Sequence, residues 1–308
     1  MKLQYRHYVL GVLLIAYISN AMDRAVLSVL LPAIKREFSA TDTQLGLLGG
    51  MGFAFFYAVF GLPLAAWADR GDRRGILAGC VLAWSVATAW CGWASSLGML
   101  LVARMATAIG EAGGGPPSHS LISDYFGPAE RGTAMAVFAL GVPIGAMLGN
   151  FAGGWLGDAF GWRAAFLTLG VLGVPIAVLA ASSIREPQRG ARESAVARIP
   201  DHALPMVDSL RTLWRICSFR NLCMAAALHS FVLYGANVFN ALFLVRSHGM
   251  SGAQAGTLMG LASLLSTVGT FAAGYWADRA GRRTGDSRWY LWLPAMATLL
   301  CVPLQVMV

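Results

Sequence analysis

The chain has 308 residues, of which 57% are hydrophobic and only 12% charged, and its mean hydropathy is +0.60. Soluble domains carry about 25% charged residues, so this composition excludes an ordinary water-soluble domain and points to lipid as the solvent. The net charge of +8 would raise nucleic acid as a partner in a soluble protein, but here the arginines sit in short loops between apolar runs, where they hold loops in the cytoplasm.

A spanning helix needs about 20 mainly apolar residues. Nine such segments follow in chain order: 8–31, 45–68, 75–94, 97–123, 133–156, 162–183, 222–245, 253–277 and 289–308. The first is too long for a cleavable signal peptide and has no small-residue cleavage site. Loop 69–74 carries three arginines, 279–288 four, and 184–220 seven against four acids. These loops share one side, together with Lys2 and Arg6. The opposite loops are poorer, apart from Lys35 and Arg36, which Glu37 and Asp42 balance. The N-terminus is therefore expected in the cytoplasm. Five cysteines lie in or beside apolar segments without metal-ligand spacing and serve as small packing residues.

The one composition shift, 184–220, separates residues 1–183, a six-helix bundle, from residues 221–308, three further helices. Within it Met206, Val207, Leu210, Leu213, Trp214 and Cys217 recur at helical spacing, with Arg211 and Arg215 opposite. Two readings stay open: a short amphipathic helix at the membrane interface or a solvated linker.

Trp-Ala-Asp-Arg occurs twice, at 67–70 and 276–279, an offset of 209 residues. Arg73 and Arg74 follow the first copy, and Arg282 and Arg283 the second. A long internal repeat reports duplicated architecture. Four ionisable residues lie inside spanning segments: Asp23, Arg24, Arg104 and Glu111. Each costs about 2.5–3.5 kcal/mol at a helix centre, so four unpaired would total on the order of 10 kcal/mol. Intramembrane charge on that scale is a functional-site hypothesis. Arg104 and Glu111, seven apart, share one helix face.

The two loops resemble the signature Gly-x-x-x-Asp-Arg/Lys-x-Gly-Arg/Lys-Arg/Lys of the major facilitator superfamily. The second copy fits throughout, with Gly274, Asp278, Arg279, Gly281, Arg282 and Arg283. The first has Ala65 and Asp72 at the glycine positions but keeps Asp69, Arg70, Arg73 and Arg74. The resemblance implies an all-α membrane protein with that superfamily's fold: a six-helix N-terminal bundle plus the first three helices of the C-terminal bundle, ending after the ninth helix. It also implies that the loops form a gate, with Asp124 pairing with Arg70.

Asn20-x-x-Asp23-Arg24, Arg104, and the run Gly110-Glu111 to Phe126 resemble the Spinster-like transporters, chiefly bacterial ones. That likeness implies proton-linked transport of a lipid-like or organic-anion substrate, with Glu111 as proton carrier, Arg104 tuning it, and Asp23 and Arg24 in the cavity. It implies a multi-pass monomer of the bacterial inner membrane, in contact with membrane lipid, with no cofactor, metal or nucleic acid. A hexuronate-type proton symporter also carries Asn-x-x-Asp-Arg in its first helix, and a non-transporting fragment is a third reading. No nucleophile–base arrangement argues for an enzyme.

Weaker features remain open. Gly132, Gly141, Gly145 and Gly149 with Pro143 partly resemble an antiporter signature, yet small residues also permit close helix packing. His119 is a core histidine or a member of a proton path. His229, Tyr234, Asn237 and Asn240 form a polar stripe that lines a cavity or bonds between helices.

Overall fold

The computed structural model describes residues 2–190, 206–286 and 288–306. Those residues are almost wholly helical, with no strand among them. Thirteen helices follow: α1 Lys2–Phe38, α2 Asp42–Gly46, α3 Gly52–Arg70, α4 Arg73–Gly92, α5 Leu97–Ala112, α6 Gly115–Tyr125, α7 Pro128–Ala139, α8 Gly141–Phe160, α9 Trp162–Ser183, α10 Met206–Arg215, α11 Cys217–His248, α12 Gly252–Thr284 and α13 Trp289–Val306. Among the described residues, seven continuous stretches are long and apolar enough to cross a membrane.

The differences from nine uninterrupted segments have local causes. The fourth segment breaks at Gly113–Gly114, because Gly113 ends α5 and Pro116 and Pro117 open α6. Proline suits a first helical turn, where its missing N–H would have no partner anyway. The second segment is α2, a π turn at Leu47–Met51 and α3. The fifth is α7 and α8, parted at Leu140. In the ninth, the apolar described stretch is the shorter Leu291–Leu300. The amphipathic stretch of the central segment does form a helix, α10. Its Leu213 and Trp214 are exposed.

Residues 1–260 form one compact unit and residues 261–308 another. In the first unit, α1 threads two apolar clusters. Val9, Leu13, Trp84, Phe126 and Phe138 fill one end; Leu30, Ile34, Leu45, Leu100 and Phe166 fill the other. The stretch of α1 between them carries Asn20, Asp23 and Arg24. Glycines let α1 and α8 approach closely: a Cβ on Gly145 would lie 2.4 Å from the Ile18 carbonyl oxygen. Gly141 and Gly149 face Tyr17 and Met22 in the same contact, while Gly132 faces open space. Gly141, Gly145 and Gly149 thus pack helices, as small residues do in lipid.

Polar contacts sort to the two ends of the bundle. Near the N-terminus, Arg6 donates to Glu130 at 2.5 and 2.9 Å, and the Tyr5 hydroxyl donates to the Ser183 carbonyl. At the far end, Trp162 and Arg163 donate to Glu37, and Arg163 also reaches the Ala94 carbonyl. Lys35 pairs with Asp42 there. The chain reverses after α1 through Ser39, whose φ of 48° is left-handed, and Thr41 then caps α2.

In the second unit, the later part of α12 and α13 expose large apolar side chains, among them Leu265, Phe271, Trp276, Leu299 and Leu300. Such surfaces suit lipid rather than water.

Candidate functional site

The four intramembrane charges converge between the two apolar clusters. Asp23 and Arg24 come from α1, Arg104 and Glu111 from α5. Asp23, Arg104 and Glu111 are each at most 2% exposed. Arg24 Nε donates to Glu111 Oε2 at 2.5 Å, forming a salt bridge in which the Glu111 side chain has no solvent exposure. The guanidinium hydrogen-bonded to that carboxylate belongs to Arg24 rather than to Arg104, the expected tuning residue. The reason is geometric. Residues seven apart on one helix stack two turns apart, about 10 Å, whereas the long Arg24 side chain reaches Glu111 from α1.

Arg104 takes another position. Its Nη1 donates to the Asp23 carbonyl at 3.4 Å, and its guanidinium lies 5.1 Å from the Phe53 ring centroid. The Thr88 hydroxyl donates to Asp23 Oδ2 at 3.2 Å. Phe53 and Tyr57 of α3 also take Arg24 on their faces, at 5.5 and 4.7 Å. Arg24 Nη1 donates to the Tyr234 hydroxyl of α11 at 3.2 Å, so one guanidinium ties α1, α3, α5 and α11 together. Two buried atoms in this layer have no hydrogen-bond partner: Glu111 Oε1 and Arg104 Nε. A buried unpaired polar atom is costly and marks where a proton, water or ligand group would be welcome.

The remaining predicted lining residues divide. Asn20 is buried, at 4% exposure, and borders a small cleft with Tyr17, Trp84 and Ser118. His119 is exposed rather than in the core; its Nδ1 lies 3.2 Å from the Met135 sulfur. His229, Asn237 and Asn240 are exposed on α11.

The first gating loop differs from expectation. Asp124 pairs with Arg73, at 2.5 Å, not with Arg70. Arg70 ends α3 with its side chain exposed, as is Asp69. Asp72 breaks the chain away from α3 and caps α4 through the Gly75 N–H, so Arg73 enters the bundle on the first turn of α4. Arg73 is 1% exposed. It donates to Glu186, Ser120, Asp124 and the Pro187 carbonyl. Arg74 reaches Asp72 at 3.5 Å and stays half-exposed.

Residues 184–190, by composition the start of a linker, strap α3, α4 and α6 of one bundle together at this end. Glu186 accepts from Arg73 and from the Arg74 N–H. Arg189 donates to the Ala68 and Gly71 carbonyls at the end of α3, and Gly190 N–H donates to Asp124. The Arg-Glu-Pro-x-Arg pattern right after an apolar helix was the available signal.

The second copy of the motif lies on α12, which runs through Arg282 and Arg283 to Thr284. Gly274, Arg279, Arg282 and Arg283 are exposed and Gly281 half-buried. The Asp278 side chain lies outside the described residues.

The family model for the Major Facilitator Superfamily matches residues 13–308. An "MFS-type efflux pump" of Mycolicibacterium smegmatis is 33% identical over 96% of this chain and 68% of its own length. "Protein spinster homolog 1" of Bos taurus is 30% identical over 78% of this chain and 46% of its own. A crystal structure of a bacterial homolog to the human lysosomal transporter Spinster, inward-facing and unoccupied, superposes with TM-score 0.80 at 35% identity, over 91% of this chain and 64% of that one. The chain thus spans about two thirds of that relative's length, or less for the mammalian protein. By the family model over residues 13–308 and the likeness to that solved structure, the chain belongs to the major facilitator superfamily of membrane transporters and is similar to its Spinster-like members.

Proposed function

We propose that this chain carries the proton-handling half of a secondary transporter that moves an amphipathic or organic anion by alternating access. The observation that carries the reading is the Arg24–Glu111 salt bridge at 2.5 Å, with Glu111 Oε1 buried and unpartnered beside it. Burial disfavours a charged carboxylate and an adjacent guanidinium favours it. The pair is therefore a switch with two settings. With Glu111 charged, Arg24 is occupied by it. With Glu111 protonated, Arg24 is released to hold a substrate anion by paired hydrogen bonds. Proton and substrate are coupled because both act on one guanidinium. Thr88 of α4 and Arg104 of α5 both hold α1 at Asp23 for that exchange, and Phe53 and Tyr57 offer the apolar part of a substrate a flat surface.

Gating follows the two ends. Where the N-terminus lies, the Arg73 cluster belongs to one bundle and keeps it rigid. At the far end, contacts bridge the N-terminal bundle and the helices after α10: Arg246 reaches Asp42 at 3.2 Å, and the Ala253 N–H donates to Asp158 at 2.8 Å. Such bridges suit a closed outer side, in line with the likeness to an inward-facing relative. Domain boundaries at 1–183, 184–220 and 221–308 and a cytoplasmic N-terminus belong to the same reading.

The test is flux in proteoliposomes. Palmitoyl lysophosphatidylglycerol and galacturonate would be offered under an imposed pH gradient to the wild-type chain and to Glu111→Gln. Gradient-driven uptake of the lysolipid that disappears in the variant supports the proposal. Uptake unchanged by the substitution sinks it. Preference for galacturonate would favour the hexuronate-type alternative, and no flux at all the non-transporting one.

A further inference from the structure

A second charged region lies where α1 ends. A cavity of about 500 Å³ opens between the end of α1 and α11, and Pro32, Lys35, Arg36, Leu242, Val245 and Arg246 line it. A smaller one of about 220 Å³ adjoins it, sharing Leu242 and Arg246 and reaching Asp42. The rim carries three cations, Lys35, Arg36 and Arg246, against one carboxylate, Asp42, for a net of +2. Asp42 is shared between Lys35 and Arg246. Glu37, the other nearby acid, does not offset Arg36. It is engaged on the opposite side by Trp162 and Arg163. No ion pair among the described residues engages Arg36, whose side chain is exposed.

Depth identifies the environment of this cluster. Asp23 lies in the layer between the two apolar clusters, near the middle of α1. Lys35 follows 12 residues later, about 18 Å along a helix. Half of a bilayer's hydrocarbon core is about 15 Å. The three cations therefore stand at headgroup level, while the Pro32, Leu242 and Val245 surface lies on the apolar side of them. A small inorganic ion would use only the rim. An amphiphile would use both, with its anionic group on the cations and its first methylenes on the apolar wall. Arginine forks match the several oxygens of a phosphate better than a point charge does.

We infer that the α1–α11 cavity is a binding site for the phosphate headgroup of an anionic membrane amphiphile, and that the headgroup competes with Asp42 for Lys35 and Arg246. Empty, the site closes its cations on Asp42 and so ties α2 to α11. Filled, it frees Asp42 and loosens that tie. Occupancy of the site would thus bias the outer bridge between the two halves. This inference needs neither a proton nor transport, so it stands or falls separately from the role of Glu111.

Native mass spectrometry of the detergent-solubilised chain titrated with phosphatidylglycerol tests it. Arg36→Gln with Arg246→Gln should weaken lipid adduct formation at least about tenfold, the worth of two charge-assisted contacts. Asp42→Asn should strengthen it about two- to fivefold, the range of one exposed ion pair. Lysine at both arginine positions should recover part of the binding, the share owed to charge rather than to the arginine fork, which separates loss of charge from misfolding. Arg220→Gln, an exposed arginine at the other end of α11, should change nothing. The inference is overturned if the glutamine pair binds like wild type, if Arg220→Gln loses as much, or if inorganic phosphate alone displaces the lipid.

Discussion

Replacing Arg73 by alanine would orphan a buried carboxylate, and the structure says how much that should cost. Arg73 is 1% exposed and Asp124 8%. With Arg73 gone, Asp124 keeps only the Gly190 N–H of the contacts that hold it. Glu186, at 30% exposure, loses its partner too but can turn to water. Breaking a buried pair by removing one member costs about 3–5 kcal/mol, because the other charge stays buried and uncompensated. Exposed Arg70, three residues away, should tolerate alanine within about 0.5 kcal/mol. The assay is equilibrium unfolding in mixed micelles with increasing dodecyl sulfate, followed by tryptophan fluorescence. Arg73→Ala should cost about 3–5 kcal/mol, and adding Asp124→Asn should restore a large part of it, since the stranded charge is then removed. Equal effects of the Arg70 and Arg73 substitutions would refute the reasoning, and so would a double variant no better than Arg73→Ala alone.

Other consequences follow from particular contacts. Gly145→Ala should destabilise by about 1–3 kcal/mol, the range for overpacking, because its Cβ would meet the Ile18 carbonyl oxygen at 2.4 Å. Gly79→Ala meets nothing within 4 Å and should stabilise by about 0.5–1 kcal/mol; the same micelle unfolding reads both signs. Tyr5→Phe removes a hydroxyl that donates to the Ser183 carbonyl and accepts from the Arg185 N–H, for a loss of about 0.5–1.5 kcal/mol per hydrogen bond. Arg189→Ala frees the strap from the end of α3, and limited trypsin digestion should then cut after Arg185 faster than in wild type; an unchanged rate would show that Glu186 and Gly190 hold the strap alone.

The sequence made some of this legible for clear physical reasons. Charge inside a bilayer is expensive, so Asp23, Arg24, Arg104 and Glu111 stood out, and they do share one layer. Which guanidinium meets which carboxylate was not legible, because spacing along α5 is silent about what α1 brings across to it. The family resemblance that pairs Asp124 with Arg70 is equally silent about the local turn. The break at Gly71 and the Asp72 cap turn the chain between two arginines three residues apart, and only the second enters the bundle. The proline pair at 116–117 signalled a helix start inside the fourth segment, but an apolar run of that length reads as one span. The strap at 184–190 was hidden by composition: its charges resemble those of a solvated loop, and their partners lie more than a hundred residues earlier.

The central claim is that one proton and one anion compete through Arg24. Proton uptake on ligand binding tests it most directly. The chain would be held in weakly buffered neutral nanodiscs with a pH-sensitive dye, and palmitoyl lysophosphatidylglycerol added. Wild-type protein should take up protons as the anion binds, because Glu111 must be protonated to yield its guanidinium. Glu111→Gln should still bind the anion but take up none. Proton uptake of equal size in Glu111→Gln would contradict the account.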